Sequence, residues 1–279
     1  MKMTRITSLT VTALCALVAA SAIAGDQANR PSIFSTTEIV SRKLSRGLPD
    51  HTDPIFTETA GLEWMGVFAS VKGHFNMSDV EEDKGFDRWE NKEIDYKVGY
   101  NHVFDKDTIG LGTALAFGID YVFEFDQGGY GDNDHIQYIH ASLGLPDVFL
   151  SPTLASEWML DQFHGQYFTL DLSHTFPLLK REGEGAKPIV AMRLSFRQGL
   201  ANAKYNDHDL GKDFWALRES TFMATFDWNV CENVTISPYA AYGDTYSGTV
   251  RPAAHYYEDP DEHNDVAQFY GGVTLNLIF

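Results

Sequence analysis

Between Thr108 and Phe125 the chain reads TIGLGTALAFGIDYVFEF, and large and small side chains alternate without a break. Ile109, Leu111, Thr113, Leu115, Phe117, Ile119, Tyr121, Phe123 and Phe125 occupy one set of alternate positions. Gly110, Gly112, Ala114, Ala116, Gly118, Asp120, Val122 and Glu124 occupy the other. Successive side chains of a β-strand point to opposite sides, so the pattern predicts a strand with one large apolar face and one small or polar face. Such a strand is far longer than the roughly five or six residues usual in soluble sheets. A chain built from strands like this must bury a wide apolar surface or present it to lipid.

The alternation recurs. Residues 93 to 104 set Ile94, Tyr96, Val98 and Tyr100 against Glu93, Asp95, Lys97, Gly99 and Asn101. Residues 166 to 176 set Phe168, Leu170 and Leu172 against Tyr167, Thr169, Asp171 and Ser173. Val190, Met192, Leu194 and Phe196 oppose Ala191, Arg193, Ser195 and Arg197, and Phe222, Phe226, Trp228 and Val230 oppose Thr221, Met223, Thr225, Asp227 and Asn229. The chain then ends on YGGVTLNLIF, its last thirteen residues uncharged. Weaker patterns at 61 to 73, 135 to 145, 152 to 160 and 233 to 246 bring the expectation to ten strands.

The links decide between architectures. HFNMSDVEEDKGFDRWEN is long and DKD short; DQGGYGDND is longer and the link around LPDVFLS tight. DQFHG and LLKREGEG break the rule, but ANAKYNDHDLGKD is long, CEN minimal, and the link through SGTVRPAAHYYEDPDEHN the longest. Strands of about ten residues, apolar on one face and joined by alternately short and long links, are what a transmembrane β-barrel requires. Lipid offers no hydrogen-bond partners, so only a closed sheet leaves no unpaired edge. The soluble alternative, a sandwich or lipocalin-like barrel, buries the apolar face instead. Tyr121, Phe123, Trp158, Phe196, Trp228, Tyr242 and Phe269 suit an interfacial aromatic girdle.

Export is expected. MKMTRITSLTVTALCALVAASAIA places Lys2 and Arg5 before a short apolar stretch and ends on small residues, as a secretory signal cleaved after Ala24 does. Removing residues 1–24 takes the formal net charge from −18 to −20 over the remaining 255 residues. That acidity argues against nucleic acid as a partner, because phosphate binding needs a basic face. Only Cys231 remains, so no intramolecular disulfide forms. The layout is a signal at 1–24, a periplasmic or lumenal segment at 25–60, and an all-β closed antiparallel barrel at 61–279. Residues 26 to 60 equally admit two more strands, giving twelve, or a short helix opened by Ser35 three before Glu38.

Two resemblances bear on this. The C-terminal strand resembles the last strand of bacterial outer-membrane proteins, which the barrel assembly machinery recognises; Phe269, Val273, Leu275, Leu277 and Phe279 carry the match. Residues 145 to 178 resemble the TorF-like family of bacterial porins through Leu150, Ser151, Pro152, Asp161, Gly165, Tyr167, Ser173, His174, Phe176, Pro177 and Leu178. GVFASVKG departs from the aromatic-arginine-glycine pattern of that family's first strand. The family resemblance implies an outer-membrane barrel with a transport role.

Ten strands about 4.8 Å apart and tilted about 40° give a radius of roughly 10 Å, a narrow pore or a plugged barrel. The expected inner wall carries Glu93, Asp95, Lys97, Asp120, Glu124, Asp171, Arg193, Arg197, Glu219 and Asp227. Acidic and basic clusters opposed across the lumen would select small polar or cationic solutes. Hydrolysis is disfavoured: Asp132, Asp134, His135, His140, Asp161, His164, Asp207 and His208 supply acid and base groups, but there is no G-x-S-x-G nucleophile motif. DNDH (132 to 135) and YEDPDEHND (257 to 265) gather carboxylates without the ligand spacing of a calcium loop, and GLGTALAFG lacks the third glycine of a dinucleotide fingerprint. No metal and no cofactor are therefore expected. The expected function is a porin-like channel for small solutes in the outer membrane, in contact with its lipids and lipopolysaccharide. A non-conducting structural or adhesive barrel is the alternative, and a barrel protease or lipid hydrolase follows behind.

Overall fold

In the computed structural model twelve strands close into one antiparallel barrel, and a two-stranded hairpin stands apart from the wall. The structure describes residues 30–46, 48–51, 54–77, 91–110, 112–127, 133–160, 164–181, 187–211, 213–245 and 267–279. The expected signal at 1–24 lies outside these residues. In chain order the strands are β1 (Ser32–Val40), β2 (Lys43–Ser45), β3 (Leu48–His51), β4 (Ile55–Trp64), β5 (Val67–Asn76), β6 (Asn91–Phe104) and β7 (Leu115–Gln127). They continue with β8 (Asn133–Gly144), β9 (Thr153–Met159), β10 (Gln166–Leu179), β11 (Val190–Ala201), β12 (Ala216–Cys231), β13 (Val234–Thr245) and β14 (Ala267–Ile278). Among the described residues two helices lie in links, α1 (Lys106–Ile109) and α2 (Ala203–Leu210). The wall omits β2 and β3, which pair with each other.

Twelve wall strands replace the ten expected, and the added pair comes from the segment assigned to 25–60. β1 pairs with β4 on one side and β14 on the other, so it closes the cylinder. Ser35 caps no helix: its hydroxyl donates to the Glu58 carboxylate at 2.7 Å. The pattern at 61 to 73 is two strand ends, because the chain reverses at Met65 and Gly66, whose φ values of 52° and 85° make a tight hairpin turn. That reversal is why both of its faces read as apolar. Residues 108–110 and 112–114 also leave the sheet. Lys106–Ile109 forms a helical turn and Gly110 and Gly112 take φ of 66° and 71°, values a strand does not accommodate. At about 4.8 Å spacing and 40° tilt, twelve strands widen the radius to roughly 12 Å.

Closure satisfies the edges. Thr37 lies opposite Leu275 and Ile39 opposite Val273, and Ile33 and Phe279 exchange both backbone hydrogen bonds, at 2.9 and 2.8 Å. Both described chain ends therefore meet at one rim, called here the terminal end; the opposite rim is the distal end. Distal links span residues 41–54, 77–90, 128–132, 160–165, 202–215 and 246–266, whereas the two tightest, 65–66 and 232–233, are terminal.

The outer face is apolar and the inner face polar. Val98, Ile119, Leu154, Leu170, Leu194, Phe222 and Phe226 are exposed on the outside. Trp64 and Trp228 stand toward the terminal rim, and Trp158, Trp215 and Phe269 toward the distal one. Tyr242 packs on Phe269 at 4.8 Å and Phe168 on Trp215 at 5.9 Å, extending the distal girdle. Tyr121 and Phe196 fall near mid-strand instead of at strand ends. Phe269, Val273, Leu275, Leu277 and Phe279 share the outer face of the last strand. One carboxylate breaks the outer band: Glu58 accepts hydrogen bonds from both Ser35 and Thr37, two donors that lower the cost of a polar group there.

The two-faced wall makes opposite demands on adjacent residues. Replacing Leu194 by Arg is expected to destabilise the barrel by about 2–4 kcal/mol in lipid vesicles, while Ser195→Arg, one position along and inward, leaves stability nearly unchanged. Reversible urea unfolding measures both. Equal losses would contradict the assignment of faces.

Candidate functional site

Strand pairing dictates what faces the lumen. In an antiparallel ladder, residues directly opposite each other share a face, so the register carries one inner row around the barrel. It runs through Thr57, His74 and Glu93, then through Asp95, Glu124 and Ile136, and through Glu157, Tyr167 and Ala201. The same parity places Glu93, Asp95, Lys97, Asp120, Glu124, Asp171, Arg193, Arg197, Glu219 and Asp227 on the inner face.

Lys97, Arg193 and Arg197 find their acids on neighbouring strands. Arg197 Nε donates to Asp171 Oδ1 at 2.7 Å, directly opposite it on β10. Arg193 Nη2 stands 3.9 Å from Asp227, Lys97 Nζ 3.8 Å from Asp120, and Lys72 Nζ 3.8 Å from Asp95. His140 Nδ1 lies 2.9 Å from the same Asp120. Local pairs form because cross-strand neighbours are only ~5 Å apart, while Arg193 and Arg197 on β11 stand four and five strands round the twelve-strand wall from the acids of β7 and β6. Neutral donors fill in: Tyr239 donates to Glu38 at 2.8 Å, Ser237 to Asp227 at 2.7 Å, and Tyr167 to Glu219 at 3.0 Å.

Among the described residues, two cavities in the lumen share Lys72, Arg197, Met223 and Tyr270 as lining. The larger, about 880 Å³, runs along β1, β4, β5 and β10 to β14. Arg42, Lys72, Arg193 and Arg197 line it with only Glu38 and Asp227 as acids. The smaller, about 430 Å³, lies toward the distal end, where Glu93, Asp95, Glu124, Glu157, Asp171 and Glu219 outnumber Arg46, Lys72 and Arg197. The larger cavity runs from Val40 and Arg42 at the distal mouth to Asn229 and Asn276 near the terminal rim, and the acidic cavity adjoins it on the distal side. Fields this close to low-dielectric walls act strongly on charged solutes.

The distal mouth is partly filled. Val122, Tyr138, Met159, Tyr167, Ala201 and Tyr205 form a buried cluster under α2. Asn202 caps that helix by accepting from the Tyr205 N–H at 2.9 Å, and Gly211 ends it in the left-handed region. Arg46, in the turn between β2 and β3, reaches into the barrel. Its Nε donates to Glu157 at 2.8 Å and its guanidinium lies 5.2 Å from the Tyr138 ring centre. Fully buried Arg218 ties the two links together, donating to the Arg46 carbonyl at 3.1 Å and to Asn206 at 3.1 Å. The segment after β1 is therefore latched inside the distal mouth.

Sequence reasoning missed Lys72, His74, Arg46, Glu157 and Arg218. Glu157 was within reach, since Thr153, Ala155, Glu157 and Met159 alternate with Leu154, Ser156 and Trp158. Among the described residues, the groups considered for hydrolysis do not converge. His140 faces inward, His135 stacks outside on Phe123, His164 sits in an exposed turn, and Asp207 and His208 are exposed on α2. Asp132, Asp161 and the acidic run 257 to 265 lie outside the described residues, as does the side chain of Asp134. Within the TorF-like stretch, Leu150 and Ser151 take positive φ and the Leu150 carbonyl accepts from the Ser173 N–H at 2.7 Å, so those residues build a turn at the terminal rim.

The latch predicts protease behaviour. Removing the Glu157 carboxylate in Glu157→Ala deletes a charge-assisted hydrogen bond of about 1.5–3 kcal/mol, so trypsin should cut after Arg46 at least about tenfold faster than in the wild type. Mass analysis of the first fragments from the folded barrel reads this out. Unchanged cleavage after Arg46 would show that the pair does not hold the segment.

No family model matches the chain, and no curated protein does. Solved structures similar to it include a NanC porin at 11% identity and TM-score 0.48, covering 87% of this chain and 98% of that one. A KdgM porin has 12% identity and TM-score 0.44, with coverage of 89% and 99%. The COG4313 outer membrane channel from Pseudomonas putida F1 has 7% identity and TM-score 0.44, with coverage of 92% and 100%. The barrel described above rests on its own strand pairings and not on these likenesses.

Proposed function

We propose that this chain is a bacterial outer-membrane channel through which small polar solutes pass without a coupled energy source. The observation that carries it is the pair of joined cavities, about 880 and 430 Å³, lined by charged side chains inside a barrel whose outer face is apolar. A wall built only for structure fills its interior with packed side chains. This one keeps ionisable groups around open volume, where groups at bilayer depth must pair or meet water. The distal rim corresponds to the cell exterior, as expected when chain ends and tight turns lie on the periplasmic side. Here the barrel assembly machinery receives β14, and the distal girdle meets lipopolysaccharide. The resemblance to TorF-like porins supports the same assignment.

The acidic cavity draws cationic and zwitterionic solutes in, and the arginines of the larger cavity oppose free passage of cations. Selectivity is then set by net wall charge, with no cofactor in the pathway. A second reading, a barrel that does not conduct, is favoured by the Arg46–Glu157 latch and the buried cluster beneath α2.

Single-channel recording of the refolded protein in a planar bilayer separates the two. Discrete steps are expected, and the Arg193→Ala/Arg197→Ala double variant should raise the cation-to-anion permeability ratio by at least about twofold, because two positive charges leave the lumen wall. A correctly folded barrel that stays silent, both as wild type and as Glu157→Ala, would establish the non-conducting reading.

A further inference from the structure

We infer that His74, Glu93 and Asp95 form a binding site for a first-row divalent cation of the Zn²⁺ type on the lumen wall. The three come together through strand register alone. His74 lies directly opposite Glu93, and Asp95 is two residues further along the same inner face. The ladder slips between His74 and Phe75, an irregularity of the kind that re-aims a side chain. His74 Nε2 stands 3.2 Å from Glu93 Oε1 and 3.8 Å from Asp95 Oδ2, and one ligand atom from each residue lies within 4.8 Å of the others. Metal–nitrogen and metal–oxygen bonds of ~2.0–2.2 Å place two ligands of one ion roughly 3 to 4.4 Å apart, so both histidine–carboxylate distances already match.

Burial supplies the independent argument. His74 is 1% exposed and Asp95 9%, yet His74 Nε2 and Asp95 Oδ1 have no hydrogen-bond partner. Buried polar atoms without partners are costly, and a cation bound at Nε2 beside Glu93 Oε1 and Asp95 Oδ2 would give the ring nitrogen its partner. The other ring nitrogen is held from behind: Thr57 Oγ1 lies 3.3 Å from His74 Nδ1. An Nδ1–H donated to that hydroxyl leaves Nε2 as a bare lone pair directed at the carboxylates. A metal-bound histidine is ordinarily fixed in this way. One imidazole with two carboxylates suits Zn²⁺ or Mn²⁺ better than Mg²⁺, which prefers oxygen ligands and its own water. Lys72 is the resident competitor, its ammonium 3.8 Å from Asp95.

The competing account of the same atoms is a protonated His74 ion-paired to both acids, which needs no metal. Equilibrium dialysis of the folded, chelator-stripped barrel in detergent against Zn²⁺ separates the two, with a large excess of Mg²⁺ occupying weak carboxylate sites. The expected result is about one Zn²⁺ per chain. Affinity should fall at least about tenfold in His74→Gln and about 10–100-fold in Thr57→Val, which removes only the orienting hydroxyl. Lys72→Gln should bind more tightly, because the competing cation is gone. Heat-modifiable gel migration confirms that each variant is folded. Should His74→Gln fail that check, Thr57→Val and Lys72→Gln decide the matter, since they leave all three ligands in place. Wild-type protein that takes up no Zn²⁺ under Mg²⁺, or folded variants that bind as the wild type does, would overturn the site. The measurement does not depend on whether the barrel conducts.

Discussion

Every backbone N–H and C=O of a lipid-facing sheet has to find its partner within the sheet, because hydrocarbon supplies none. The pairing of β1 with β14 is where this chain meets that constraint. Without that seam, the first and last wall strands would each present an open ladder edge to lipid. With it, the strand number is fixed at twelve and the radius follows. The space left for a lumen, and therefore every property proposed for it, depends on a seam whose closing hydrogen bonds join Ile33 to Phe279.

The interior solves a different problem. Ionisable side chains inside a barrel must be paired or hydrated, and an antiparallel ladder offers each of them a neighbour within reach. Arg197 with Asp171, and His140 with Asp120, are cross-strand pairs of this kind. Beyond these pairs the two cavities differ in charge: acids outnumber bases around the smaller, and bases outnumber acids around the larger. The latch of Arg46 on Glu157 narrows the entrance to the acidic chamber, while the larger cavity stays clear along the side formed by β1, β4, β5 and β11 to β14.

Much of the barrel is legible in the sequence. Period-two alternation assigns the faces of β6, β7, β10, β11, β12 and β14, because a lipid-facing strand has no freedom to mix large apolar and charged residues on one side. It fails at β1 and β4, where Ser35, Thr37 and Glu58 stand on the outer face and interrupt the apolar row. The hydroxyls that make Glu58 tolerable there belong to a strand more than twenty residues away, so the local pattern carries no sign of the compensation. It fails again at 61 to 73, where a two-residue reversal sits inside what looks like one strand.

By itself the sequence determined that this is a barrel-forming chain with an apolar exterior, and the facing of the charged residues on the strongly alternating strands, since both follow from alternation along each strand. Only the tertiary structure decided the strand number, the partner of each charge and the filling of the mouth. These depend on register between strands distant in sequence and on links that fold back into the lumen, and no periodicity along the chain encodes either. The cluster of His74, Glu93 and Asp95 is a case in point: its residues lie on two strands joined by a long link, and the register of β5 against β6 alone brings them together.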